Sequence, residues 1–159
     1  MNDGDERITP PDLVYITFIR ARPQKVWDAL TKSEFTTQFF FGRTIESDWR
    51  KGSRWRLVME DGRTDVEGEV LESDPPRQLK LSWKVEWLEE ARTLEPAIIT
   101  YDIEQAGDVV KLILTQHNTG PVPHKFVDAG KQGWAAVLSS LKSLLETGRP
   151  LVIQMKAPE

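Results

Sequence analysis

The sequence has no cysteine, and that one absence removes disulfides, a thiolate nucleophile and cysteine-held zinc together. It suits a reducing compartment. Histidine is almost as scarce, with only His117 and His124 present. A catalytic base wants a carboxylate or nucleophile within hydrogen-bond reach, and neither histidine has a local Asp or Ser motif. His124, next to Lys125, reads as solvated surface; His117, at a strand end, is the stronger candidate for chemistry. No apolar run approaches the ~18 residues that span a bilayer. The opening stretch MNDGDERITPPD reverses the layout of a secretory signal, so a soluble cytoplasmic protein is expected. Basic residues form no block, and the net charge is −4, so no face suits nucleic acid. Glycine-rich phosphate loops, serine elbows and metal-ligand spacings are missing too. No cofactor and no metal are expected.

What the sequence does contain is apolar and aromatic material in strand and helix periods. With 159 residues, 39% of them apolar, it can build one domain with a proper core. Residues 1–12 read as a flexible arm. Leu13 to Arg20 (LVYITFIR) is β-branched and aromatic, as a strand should be. Tyr15, Thr17 and Ile19 face inward there, and Val14, Ile16, Phe18 and Arg20 face solvent. Pro23 suits a first helical turn, and Val26, Trp27 and Leu30 predict a short helix over 23–31. Ser33 begins a second, ending in Phe39-Phe40-Phe41-Gly42. A strand with Trp55, Leu57 and Met59 on one face reaches a hairpin signal at Asp61-Gly62. The return strand sets Val66, Gly68 and Val70 against Asp65, Glu67 and Glu69, which lie on a wet face. After the Asp74-Pro75-Pro76 turn, Leu79, Leu81, Trp83, Val85 and Trp87 alternate along one long strand.

Residues 88–96 read as a polar loop. Ile99, Tyr101 and Ile103, then Val110, Leu112 and Leu114, predict the last strand pair. Residues 117–129 form a loop that could cover one end of the fold. Gly130 to Glu146 is the strongest helix, with Trp134, Val137, Leu138, Leu141, Leu144 and Leu145 on one stripe and Gly148 ending it. Such a stripe needs a partner surface, and the inner face of the sheet supplies it.

Four segments, in order, form a pattern: Ala21 to Leu30 (ARPQKVWDAL), Phe40 to Trp49 (FFGRTIESDW), Gly68 to Leu79 (GEVLESDPPRQL) and Gly133 to Gly148 (GWAAVLSSLKSLLETG). With the element order, they resemble the START-like, or helix-grip, superfamily, to which the major birch pollen allergen belongs. More narrowly, the chain is similar to the family named after the C-terminal domain of the heat-shock protein 90 ATPase activator. The resemblance covers residues 13–148 and implies an α+β helix-grip fold. In that fold a curved antiparallel sheet of six to seven strands wraps a long C-terminal helix, with two short helices after the first strand. Residues 149–159 are then a C-terminal extension, whose Leu151-Val152-Ile153 could pack on the same molecule or on a second subunit of a homodimer. Stand-alone family members lack the separate N-terminal domain with which the co-chaperone docks, and such a domain is not expected here either.

Tryptophan is abundant, with six residues, and Trp27, Trp55, Trp83, Trp87 and Trp134 fall on inward faces. Each could simply pack the core. A helix laid over a curved sheet also tends to leave a cavity, which aromatic walls would fit to a flat apolar or amphipathic ligand. The residues placed at such a site are Trp27, Phe40, Trp55, Leu57, Val66, Trp83, Tyr101, Gln116, Trp134, Val137 and Leu141. Gln116 and Tyr101 are its polar members. Gly133, on the sheet-facing side of the helix, suggests a close approach of strand backbone or ligand.

Asp65, Glu67 and Glu69, spaced at ~7 Å on one strand, read as a solvated face rather than a metal site. Glu72 reaches the inner register only if the strand bulges. Three functions follow. A small hydrophobic ligand in the cavity ranks first, and a chaperone or other regulator as protein partner second. An enzyme, with Tyr101, Gln116 and His117 as its working groups, ranks last, as no pair has visibly tuned acidity.

Overall fold

The computed structural model describes residues 3–154. In chain order the elements are β1 (Arg7–Ile8), β2 (Leu13–Ile19), α1 (Pro23–Thr31), α2 (Ser33–Phe39), β3 (Thr44–Ser47), β4 (Arg54–Val58), β5 (Thr64–Asp74), β6 (Gln78–Val85), β7 (Ala97–Ala106), β8 (Val109–His117), β9 (Val122–Pro123) and α3 (His124–Thr147). Strands β2 to β8 form one antiparallel sheet in the order β2-β8-β7-β6-β5-β4-β3. The period-2 pattern of the sequence becomes a pattern of burial. Ile99, Tyr101 and Ile103 of β7 and Val110, Leu112 and Leu114 of β8 are buried, and they meet Trp134, Val137, Leu138, Leu141 and Leu144 of α3 in one core. Gly148 ends α3 with φ of +82°, a conformation that glycine reaches without a Cβ penalty. This is the helix-grip arrangement.

The sheet bends where the sequence places Gly68. A Cβ there would lie 2.0 Å from the Ser82 carbonyl oxygen, so only glycine fits. Between the Glu67–Lys84 and Val70–Leu81 pairs the β5–β6 ladder is interrupted. Side chains take over its groups: Ser82 Oγ accepts from Glu69 N–H at 2.8 Å, and the Trp55 indole N–H donates to Ser82 C=O at 2.9 Å. A bulge at Leu71 follows. Glu72 nevertheless stays exposed and pairs with Lys51 at 3.0 Å.

Several expectations need correcting. Thr44–Ser47 is a strand that periodicity missed, because four residues are too few to display a period. The β6 strand ends at Val85, not Trp87, since the N–H groups of Glu86 and Trp87 both turn to the Asp65 carbonyl. The stretch 88–96 contains a short 3-10 helix, Glu89–Thr93. Helix α3 begins at His124, six residues before the predicted start at Gly130. Its first turn is anchored from outside: His124 N–H donates to Glu6 C=O, and Lys125 bridges Asp5 at 3.0 Å and Glu90 at 2.8 Å. The same contacts, with the β1–β9 pairing, tie down part of the segment read as an arm.

Asp65 is a further correction. It is 7% exposed rather than solvated, and its carboxylate accepts from Arg43 Nε at 2.9 Å. Beyond α3, Leu151 is held through its backbone N–H and C=O by Ser140 Oγ, while Val152 is 92% exposed.

Candidate functional site

Aromatic rings converge under α3. Trp83 of β6 lies between Trp55 of β4, with centroids 4.9 Å apart, and Trp134 of α3, at 5.1 Å. Phe40 stands edge-on to Trp134 at 5.9 Å, and Tyr101 does the same at 6.4 Å. Tilted and edge-on ring pairs of this kind add to the stability that burial supplies. The three successive phenylalanines have three different fates. Phe39 is buried in the core, Phe40 packs against Trp83 and Trp134, and Phe41 is 41% exposed at the rim. The turn that splits them has positive φ at Phe41 (49°) and Gly42 (75°), closed by Arg43 N–H on Phe40 C=O. Two positive φ values are the signature of a type I′ turn. It delivers Phe41 and Arg43 to the same mouth.

Beside this stack lies a cavity of about 500 Å³ between β6 and α3, extending under the 88–96 segment and the loop after β8. Of the predicted residues, Phe40, Val66, Trp83, Gln116, Trp134 and Val137 line it. Trp27, Trp55, Leu57, Tyr101 and Leu141 do not; they belong to the buried core. Burial alone does not separate the two groups of tryptophan, since Trp134 borders the cavity yet is only 6% exposed. Trp27 and Trp55 fill space and are 6% and 1% exposed, whereas Trp83 and Trp87 are only half-buried and border the cavity.

The sequence reading missed much of the wall. Leu88, Ala91 and Leu94 come from the segment taken as polar loop, and Phe126 and Val127 from the first turn of α3. The signal was there as spacing, since Leu88, Ala91 and Leu94 recur every third residue, the period of a 3-10 turn. Gly130 and Gly133 line the same wall, and a Cβ at either would meet nothing within 4 Å. The expected close approach is therefore at Gly68, while Gly133 borders open space.

The cavity's polar groups are largely spoken for. Trp134 Nε1 donates to Gln116 Oε1 at 2.8 Å, and Gln116 Nε2 donates to Asn118 Oδ1 at 3.3 Å. Gln116 thus satisfies an indole as well as facing the space. Arg43 is neutralised by Asp65 and also donates to Phe41 C=O at 2.8 Å. Lys84 Nζ donates to the carbonyls of Arg92 and Leu94. Tyr101, behind Trp134, has its phenol pushed well up by burial. His117 is exposed and sits at the end of β8 with Nδ1 2.7 Å from Asp12 Oδ1. The trio Tyr101, Gln116 and His117 is not assembled, because only Gln116 borders the cavity.

A second concavity, on the outer face of β3 to β5, is bordered by Glu46, Arg54, Arg56 and Glu67. Its charges pair with one another, Arg56 with Glu46 at 2.5 Å and Arg54 with Glu67 at 3.9 Å. Among the described residues no cluster of three or more His, Asp or Glu could hold a metal ion, and no helix is long and apolar enough to cross a membrane.

The sheet, the gripped helix and the space between them define a protein of the helix-grip class. The family model described as Activator of Hsp90 ATPase homolog 1-like protein matches residues 20–146. The chain belongs to that family. Among solved structures, a protein from Mesorhizobium loti is similar at 20% identity and TM-score 0.72, over 85% of this chain and 96% of that one. The Aha1 dimer from Colwellia psychrerythraea is similar at 20% identity and TM-score 0.71, over 87% and 98%. An HSP90 activator from Plasmodium falciparum is similar at 21% identity and TM-score 0.62, over 77% and 86%. A comparison with curated protein sequences gives no match.

Proposed function

We propose that this is a cytoplasmic binding protein that holds a small, flat, mostly apolar molecule between its sheet and α3. One observation carries the reading: a cavity of about 500 Å³ bordered by Phe40, Trp83, Trp87, Phe126 and Trp134. Small-molecule sites span roughly 300–1,000 Å³ and are walled by apolar and aromatic side chains with few polar groups. Arg43 and Asp65 neutralise each other, Lys84 is spent on carbonyls and Glu95 is an exposed carboxylate at the border, which favours a ligand without negative charge. Asn118 accepts from Gln116 through its side-chain oxygen. Its amide nitrogen remains as a donor to an oxygen on the occupant.

Native mass spectrometry of freshly purified protein, followed by a thermal-shift screen of neutral hydrophobic compounds, tests this. A co-purified small molecule, or stabilisation by planar apolar compounds, is the expected outcome. No bound mass and no stabilisation by any of them would refute it.

Membership of the family named for an activator of the heat-shock protein 90 ATPase favours a second reading, a protein partner. On that reading the chain binds a heat-shock protein 90 homologue and raises its ATPase rate. Purified chaperone with and without this protein decides it, and an unchanged ATPase rate at saturating concentration would exclude it.

A further inference from the structure

Strand β2 is an edge of the seven-stranded sheet. Which of its backbone groups are free follows from hydrogen-bond alternation in antiparallel ladders. Ile103 N–H donates to Arg77 C=O, so odd-numbered residues of β7 bond β6 and even-numbered ones bond β8. Carried through the β7–β8 and β8–β2 registers, the alternation gives Tyr15 and Thr17 to β8. The N–H and C=O of Val14, Ile16 and Phe18 therefore point to the open edge. Lys142 Nζ, on the Phe18 carbonyl, agrees with this.

The side chains of the same three residues are bare as well: Val14, Ile16 and Phe18 are 56%, 53% and 50% exposed. Edge strands are normally blunted by lysine, proline or a bulge. From Leu13 to Ile19 there is none. From α3, Lys142 Nζ reaches the Phe18 carbonyl and Glu146 Oε2 accepts the Arg20 N–H just past the strand, leaving the edge groups of Val14 and Ile16 uncovered. Glu146, 2.8 Å from Lys142, offers that ammonium another partner.

Charges of opposite sign stand at the two ends. Asp12 and Arg20 flank the strand, are exposed and alternate in phase with the apolar three, so the outer face reads Asp12, Val14, Ile16, Phe18, Arg20. An antiparallel copy centred on Ile16 sets Ile16 against its own image and Val14 against the partner's Phe18. It also sets Asp12 against the partner's Arg20, twice by symmetry. A slip of two residues breaks both ion pairs. A two-fold interface must be complementary to itself, and this face is. Cross-strand apolar and opposite-charge pairs are the contacts that stabilise such a ladder. We propose that β2 pairs with β2 of a second copy of this chain in that register, joining the two sheets into one.

Sedimentation equilibrium of the full chain at low ionic strength tests it, with Asp12→Arg, Arg20→Asp, the double reversal and Ile16→Lys. The wild type is expected to be dimeric by about 100 µM, by mass action. Each single reversal and Ile16→Lys should weaken dimerisation at least about tenfold by opposing like charges or burying one. The double reversal should return it to near the wild-type value. All three positions are exposed, and circular dichroism verifies that each variant is folded. A wild type that stays monomeric, a dimer that single reversals leave unchanged, or a double reversal as weak as its parents would overturn the proposal. None of these outcomes bears on the cavity, so failure here is distinguishable from failure of the ligand reading.

Discussion

A methyl group added at Gly68 would sit 2.0 Å from the Ser82 carbonyl oxygen, a backbone atom that cannot move without breaking the bend in the sheet. Gly68→Ala is expected to cost about 2–4 kcal/mol, the upper range for single substitutions that force strain into a core. Urea unfolding at neutral pH measures it. Gly133 is the opposite case, because its Cβ would meet nothing within 4 Å and it lies inside α3. Gly133→Ala should therefore stabilise by about 0.5–1 kcal/mol, the usual difference between the two residues in a helix interior. The same unfolding experiment reads it as a later midpoint with unchanged slope. In the sequence Gly133 stood out as a close approach and Gly68 only as one position of a strand face, because which one meets backbone and which meets space depends on strand curvature. That curvature leaves no mark in residue spacing.

At the scale of elements, the strands with long alternation and the C-terminal half of α3 were legible, because burial on one face imposes a period. The start of α3 was not. Two glycines and a proline obscure it, and what holds that first turn is remote in sequence: Lys125 between Asp5 and Glu90, and Glu6 C=O on His124 N–H. The hydrogen bonds Lys125 donates to Glu90 and then to Asp5 raise its pKa above the ordinary lysine value.

The other end of α3 is fastened to β2 through Glu146. Its pKa is lowered first by the hydrogen bond from Lys142, then by the one from Arg20 N–H. A lowered carboxylate contributes stability that is fully present above its unfolded pKa, about 4.3, and is lost as pH falls through the folded value. Glu146→Gln should therefore be less stable than wild type at pH 7, and the gap should narrow as pH falls below about 4.3. Paired urea melts at pH 7 and pH 3 measure it. A gap as wide at pH 3 as at pH 7 would mean the carboxylate charge is not what fastens this end.

For the whole molecule, the helix-grip layout could be read from element order, whereas the cavity could be read only in part. Inward-facing tryptophans look the same in sequence whether they fill a core, as Trp27 and Trp55 do, or border a space, as Trp83 does. The difference is set where Leu88, Ala91, Leu94 and Phe126 stand off from the sheet, on segments whose local composition is polar. Closing that space from α3 is the most direct test of its use. A neutral hydrophobic fluorescent probe should bind wild type at one site with micromolar affinity. Gly133→Trp, which directs a large side chain into the open space beside Trp134, should weaken binding at least about tenfold, as expected for an occluded apolar site, with its circular dichroism unchanged. Equal affinity in the two proteins, or no saturable binding to the wild type, would contradict a ligand site between the sheet and α3.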